Sequence, residues 1–377
     1  MLLKNCNYLN SKFIFASGDI RIEEERISEI AKTLEPNPGE EVVDVHFKKV
    51  IPGLVDVHTH GAVGFDACDN TKEGLQAVAN YEAENGVTSF LPTTMTILEE
   101  DLMKVMATVK EFKEEQTEGA TVQGINMEGP FFSMAKKGAQ NGEWIREPDI
   151  EMFKRLYKAS GENIRLVDLA PELPGAEEFI KEASKFCTVS VGHTNGTHES
   201  TKMAYDNGAS HCTHLYNGMP GFSHRDPSVV GTIIDSDATT ELICDGIHIN
   251  PVIVRNTFRA VGEDRLVLIS DSMRATGMAD GEYDLGGQTV YVKGNTATLK
   301  DGTLAGSATN LMGCVRKAYE FDLPLEKAVK CASLNPARAI GIDKDYGSLE
   351  TGKIASIVVL NDDLEVEKVF IKGKKFK

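Results

Sequence analysis

The sequence predicts an α/β fold: a (β/α)₈ TIM-like barrel with a small β-sandwich domain built from both termini. Three observations carry this. Eight short apolar, β-branched runs recur through the middle of the chain, most of them separated by segments long enough for a helix. Six of those runs close on metal-ligand or acid–base side chains, all at the carboxyl end, where barrel sites assemble. Both ends of the chain are β-textured, so residues 1–50 and 346–377 read as one small domain around a barrel of residues 51–345. An open doubly wound sheet is the alternative that the strand–helix alternation alone allows.

The elements follow in order. Residues 1–50 hold short alternating stretches, Asp19–Glu23 and Arg26–Ile30, broken again by Pro36-Asn37-Pro38-Gly39. The barrel strands are expected at Val50–Val57, Val87–Leu91, Val122–Met127, Ile164–Leu169, Thr188–Val191, Ser210–Leu215, Glu241–Cys244 and Leu266–Ile269. Helices are expected at Thr71–Asn85, Ile97–Lys113, Ala176–Phe186, Thr197–Asn207 and Pro251–Val261. A Gly-rich stretch, Gly281–Gly302, alternates like a β excursion before two last helices around Thr309–Glu320 and Leu325–Leu334. The tail returns to β character at Ala355–Leu360 and Val366–Ile371.

Composition narrows the partners. With 57 acidic against 40 basic side chains the formal net charge is −17. That argues against nucleic acid and against an anionic membrane, both of which need clustered positive charge. An anionic small molecule needs only a local basic site. Seven scattered cysteines with no C-x-x-C pair suit reduced thiols, and the N-terminus lacks the apolar core of a signal peptide. No apolar run approaches the roughly 20 residues of a membrane span. A cytoplasmic protein is expected.

The chemistry sits where the strands end. Strand one runs into His58-Thr59-His60, whose two imidazoles share a face at the two-residue period of a strand. Strand three ends at Glu128, strand five at His193, strand six at His214, strand seven leads to Asp245 and His248, and strand eight ends at Asp271. Each alone has an ordinary structural explanation, such as a strand-end carboxylate capping a backbone group. Four histidines and two carboxylates converging are instead the donor set of a borderline divalent ion. Such a site polarises a carbonyl and acidifies water, and Asp271 is suited to carry the proton to a leaving amine. Metal-assisted hydrolysis of an amide or related C–N bond is the reaction class read from these residues.

Ile51-Pro52-Gly53-Leu54-Val55-Asp56-Val57-His58-Thr59-His60-Gly61 resembles the strand-one motif of the amidohydrolase superfamily. More specifically, Asn126–Phe132, Lys136–Ala139, Gly192-His193-Thr194, Thr213–Met219, Asp245–His248, Ser270–Met273, Leu304–Ser307 and Asn335–Ala337 resemble the N-acetylglucosamine-6-phosphate deacetylases, nearly end to end. The resemblance implies zinc or iron held by Glu128, His193 and His214, with metal-activated water as nucleophile and Asp271 as general base, then acid. It implies glucosamine 6-phosphate and acetate as products, and a sugar lying against Ala139, Gln140, Asn217, Gly218, Asp245 to His248, and Leu304, Ala305 and Gly306. It further places Arg225 on the phosphate, where a guanidinium binds bidentately, and implies a homodimer that completes this site.

Two departures matter. Some relatives hold a His where this chain has Gln140; an amide donates a hydrogen bond but carries no proton, which leaves polarisation of the acetyl carbonyl to the metal and His248. Others lack the His-x-His pair, whereas His58 and His60 here allow a second ion bridged through Glu128 and touched by Asp271. One or two ions stay open. So do an N-acetylgalactosamine 6-phosphate substrate, another N-acyl substrate, and a scaffold that kept the barrel without catalysis. Cyclic-amide hydrolases are disfavoured because strand four, Asn163–Pro171, has no lysine to carboxylate.

Overall fold

The computed structural model describes residues 1–377. Eight parallel strands form a barrel: Leu54–Thr59, Val87–Pro92, Ile125–Phe131, Ile164–Leu169, Thr188–Val191, His211–Cys212, Thr239–Ile243 and Leu266–Ile269. Single bridges from Thr93 to Asn126 and from Thr59 to Ser272 complete the circle. Closure sets the ends of strands one and eight side by side, with the Asp271 N–H donating to the His58 carbonyl at 2.9 Å. The interior is packed by Val55, Val57, Leu91, Leu166, Ile243, Val267 and Ile269, which forms a dry floor beneath whatever the strand ends hold.

A helix follows every strand: Lys72–Glu84, Glu99–Glu115, Ile150–Ala159, Ala176–Ala183, His198–Asp206, Ser228–Asp235, Pro251–Val261 and Leu311–Glu320. Local chemistry starts them. Thr71, Asp149, Asn250 and Asn310 accept backbone N–H groups of the first turn, and Pro251 occupies a position whose N–H would be orphaned anyway. In Glu99–Glu115 the buried residues are Leu102, Val105, Met106, Val109 and Phe112, a helical stripe against the barrel. Each such burial contributes about 1.5–3 kcal/mol, and Leu102→Ala is expected to cost about 2–5 kcal/mol through the cavity it leaves.

The terminal segments join as expected. One sheet runs Lys374–Lys375, Val366–Ile371, Ile357–Leu360, Lys49–Pro52, Leu2–Leu9, Phe15–Glu23, Arg26–Ala31, with Val42–Asp44 beside Leu2–Leu9. Leu3, Ile20, Ile27, Val50, Ile357 and Phe370 form its own buried core. The excursion after strand eight is an antiparallel unit, Gly281–Leu285, Gln288–Lys293 and Thr296–Thr298. It packs through Leu285 and Val290 onto Met95, Ala139, Met273 and Ala305. No helix is long and apolar enough to cross a membrane.

Four local expectations are corrected. The run Val50–Val57 is two strands: Lys49–Pro52 belongs to the terminal sheet and Leu54–Thr59 to the barrel. Gly53 makes the junction, where a Cβ would meet Thr88 Oγ1 at 2.1 Å. Strand six is only His211–Cys212 because the backbone turns left-handed at His214. The expected helix Leu325–Leu334 breaks into Leu325–Cys331 and Leu334–Ala339, since Pro336 has no N–H to continue the first helix. Finally, Ile150–Ala159 and Ser228–Asp235 were not expected. The second is apolar and β-branched on nearly every side, so it shows no helical face.

Candidate metal centre

Three strand-end residues adopt backbone conformations that side-chain-bearing residues rarely take: φ is 44° at His193, 27° at His214 and 49° at Asp271. Each such residue costs on the order of 1–3 kcal/mol and persists only where its surroundings hold it. Here they do. The Ser133 N–H donates to the His193 carbonyl at 2.9 Å, the His214 N–H donates to Glu241 Oε2 at 3.0 Å, and the Ser307 N–H donates to the Asp271 carbonyl at 2.7 Å. The bends turn three side chains toward the barrel axis.

There they meet the rest. Glu128 lies between two donor sets, Glu128/His193/His214 and His58/His60/Asp271. Its Oε1 is 3.2 Å from His193 Nε2 and 3.1 Å from His214 Nε2; its Oε2 is 3.3 Å from His60 Nε2. Asp271 Oδ1 is 3.6 Å from His58 Nε2 and 3.4 Å from His60 Nε2. All six side chains are buried.

The far side of the rings decides what these atoms offer. Nδ1–H of His58 donates to Glu241 Oε2 (3.0 Å), that of His60 to the Thr93 carbonyl (3.3 Å) and that of His193 to the Lys136 carbonyl (2.9 Å). Acceptors on Nδ1 leave a lone pair on each neutral Nε2. The Nε2 atoms of His193 and His214 stand 3.1 Å apart, and Nε2 of His58 is buried with no hydrogen-bond partner. Ligands at 2.0–2.1 Å from a tetrahedral ion are about 3.3–3.4 Å from one another, so the donor set fits a divalent cation in spacing and charge, and in tautomer at His58, His60 and His193.

Electrostatics agree. Burial opposes ionisation of Glu128, but His58, His193, His214 and His60 outweigh it and hold its carboxyl well below the usual range. Burial likewise pushes Asp271 up, while His60 and His58 pull it further down. Burial disfavours a charged His60, yet Asp271 and Glu128 raise it to about 10. Protons and a cation compete for the same lone pairs, so binding one releases the other.

Behind the ligands lies a feature the sequence reading missed. Glu241, on strand seven, accepts from His58 with Oε2 and from His211 Nε2–H with Oε1 at 3.1 Å, so one carboxylate joins His58, His211 and the backbone of His214. Burial opposes its ionisation, but His58 and His211 hold it well below the usual range. Its only sequence signal was a charged residue inside an apolar strand. His46 stays on the surface, and His198 Nδ1 is hydrogen-bonded to Thr232 Oγ1 at 2.9 Å.

The ligands open into a cleft of about 220 Å³ whose lining includes His60, Glu128, Ala139, Gln140, His193, His214, Asn217, Gly218, His248, Asp271, Leu304 and Gly306. Met95, Leu285 and Thr303 also line it and were not anticipated. His248 is fixed by Asp245, whose Oδ2 accepts from Nδ1–H at 2.7 Å and whose Oδ1 accepts from the N–H groups of Ile247 and His248. Burial lowers the His248 pKa, and Asp245 more than offsets this to raise it. Asp245 and His58 stand behind the cleft rather than on its surface, and Ala305 is buried beneath the excursion. Arg225 is not brought to the cleft within the single chain; it stands on an exposed loop, its N–H bonded to Ser223 Oγ. A larger cavity of about 670 Å³, between Pro171–Glu182 and Asn195–Met203, is lined by Glu172, Glu177, Glu178 and Glu182 and holds none of these donors.

A profile of the amidohydrolase family matches residues 49–376. The chain belongs to the amidohydrolase family. This amidohydrolase is 37% identical to the N-acetylglucosamine-6-phosphate deacetylase of Bacillus subtilis (strain 168), covering 99% of this chain and 96% of that one. It is 36% identical to the N-acetylgalactosamine-6-phosphate deacetylase of Escherichia coli O157:H7, covering 92% of each. Among solved structures, the N-acetylglucosamine-6-phosphate deacetylase of Pasteurella multocida superposes with a TM-score of 0.94 at 28% identity, covering 99% of this chain and 98% of that one. A mutant of the Mycobacterium smegmatis deacetylase, in complex with N-acetyl-D-glucosamine-6-phosphate, superposes with a TM-score of 0.93 at 31% identity, covering 100% and 98%.

Proposed function

We propose that this amidohydrolase removes the acetyl group of N-acetylglucosamine 6-phosphate, giving glucosamine 6-phosphate and acetate. The observation that carries the chemistry is the convergence of four imidazole Nε2 atoms on two carboxylates, Glu128 and Asp271, at the mouth of a cleft. The substrate follows from relatives of nearly equal length that carry this activity in their names.

Glu128, His193 and His214 would hold one divalent ion, and His58, His60 and Asp271 a second, with Glu128 between them. Imidazoles and carboxylates suit zinc or ferrous iron. When bound, such an ion supplies a Lewis acid and lowers the pKa of water. The chain's own residues do the rest. Asp271, kept ionised by its neighbours, takes a proton from the attacking water and returns it to the departing amine. His248, held through Nδ1 by Asp245, presents Nε2 to the acetyl oxygen and stabilises the charge that develops there. Ala139, Asn217, Gly218, Leu304 and Gly306, which line the cleft, surround the sugar.

A chain of net charge −17 must gather positive charge locally for a phosphate. Arg225, on its exposed loop, supplies it in a cytoplasmic homodimer in which two copies complete the site. The second reading is N-acetylgalactosamine 6-phosphate, favoured by the Escherichia coli relative. Purified protein supplied with zinc or ferrous iron is to be offered both sugar phosphates and acetate measured. Faster release from the glucosamine compound supports the first reading, faster release from its isomer supports the second, and none from either removes both.

A further inference from the structure

We infer that Gln140 is a positioning residue for Glu128 rather than a contact for the acetyl group: its amide clamps one oxygen of that carboxylate and holds it in the orientation that bridges the two donor sets. The inference rests on the metal-dependent reading of the site above and deepens it.

Gln140 is 2% exposed. Its Oε1 accepts from the Thr96 N–H at 2.7 Å, and its Nε2 donates to Glu128 Oε2 at 2.8 Å. The two ends of the amide are not interchangeable here. A backbone N–H can only donate and an ionised carboxylate can only accept, so the oxygen faces Thr96 and the nitrogen faces Glu128. The remaining amide hydrogen has Met95 Sδ at 3.8 Å, a weak acceptor. With both strong contacts committed, Gln140 keeps little to offer a carbonyl in the cleft although it lines it.

Glu128 needs such a restraint. Oε1 faces His193 and His214 and lies 3.6 Å from His58 Nε2, whereas Oε2 faces His60. Rotation about the Cγ–Cδ bond would carry Oε2 away from His60 and break the contact it makes with the second donor set. A hydrogen bond to Oε2 opposes that rotation. The same short segment does this twice over, because the Lys136 carbonyl orients His193 through Nδ1 while Gln140 orients Glu128. Groups that orient metal ligands in this way typically govern affinity by about 10–100-fold.

The test compares the parent protein with Gln140→Leu and Gln140→Glu. Leucine removes both hydrogen bonds. Glutamate is nearly isosteric, keeps an acceptor for Thr96 and loses the donor toward Glu128, so it serves if leucine fails to fold. Zinc retention against a chelator is measured for each, together with KM and kcat at saturating zinc. The expected result is zinc held about 10–100-fold more weakly in both variants, with KM unchanged. Parent-like zinc retention in a folded variant would overturn the inference, and so would a raised KM with zinc fully retained, since that marks a direct substrate contact. Absence of acetate release by the parent would strike the deacetylase reading instead, and is read in a separate assay.

Discussion

Glu241 Oε2 accepts the Nδ1 proton of His58 at 3.0 Å, on the side of the ring away from the donor cluster. The same carboxylate accepts from His211 and from the backbone of His214, so both donor sets are tied to one buried anion. Glu241→Gln keeps the shape but leaves one oxygen acceptor where there were two. His58 or His211 then faces an N–H in place of an acceptor. Divalent-ion affinity is expected to fall by about 10–100-fold with the fold intact. Metal analysis after dialysis, paired with circular dichroism, checks this; full metal content in the variant would count against the role.

Asp271→Asn separates proton transfer from metal holding. The amide keeps an oxygen near His58 and His60 but cannot take a proton at neutral pH. A fall in kcat of about 10²–10⁴-fold is expected, with most of the metal retained and KM little changed. A variant that loses all metal would make Asp271 primarily a ligand.

His248→Gln removes the protonatable ring that Asp245 holds. Loss of stabilisation of the developing oxyanion is expected to lower kcat by about 10²–10³-fold, leaving metal content untouched. Asp245→Asn is expected to reproduce part of that loss, since it frees the ring and lowers its pKa. An unchanged kcat in both variants would remove His248 from the reaction.

Arg225→Ala probes the phosphate. KM is expected to rise far more for the 6-phosphorylated sugar than for the unphosphorylated one, with kcat nearly constant. Equal effects on both sugars would take Arg225 out of phosphate recognition.

Lys113 offers a test of the fold by pH. Burial, with Arg165 and Lys372 adding to it, pushes its pKa down from 10.5 to about 8. Between those values the unfolded chain binds the extra proton, so this group makes stability rise with pH from about 8 to 10.5 and contributes no pH dependence below. The stability difference between the parent and Lys113→Met, followed by denaturant unfolding across that range, should climb with pH. A flat difference would contradict the shift.

Much of this protein is written locally. Strand runs, capping residues such as Thr71 and Asn310, and the order His58-x-His60, Glu128, His193, His214, Asp271 declare a parallel barrel with its donors at one end, because strand period and cap chemistry act over a few residues. Other features depend on partners far along the chain. Glu241 becomes a support only when strand seven passes behind His58, 183 positions away in sequence. Gln140, read as a possible sugar contact, turns to Thr96 and Glu128 because the loop after strand three packs against the segment that follows strand two. The left-handed turns at His193, His214 and Asp271 are held by distant hydrogen bonds and leave no mark in propensity. The sequence by itself determined which residues could bind a metal and on which fold. Only tertiary closure decided which nitrogen is free in the rings of His58, His60 and His193, because that depends on what stands behind each ring.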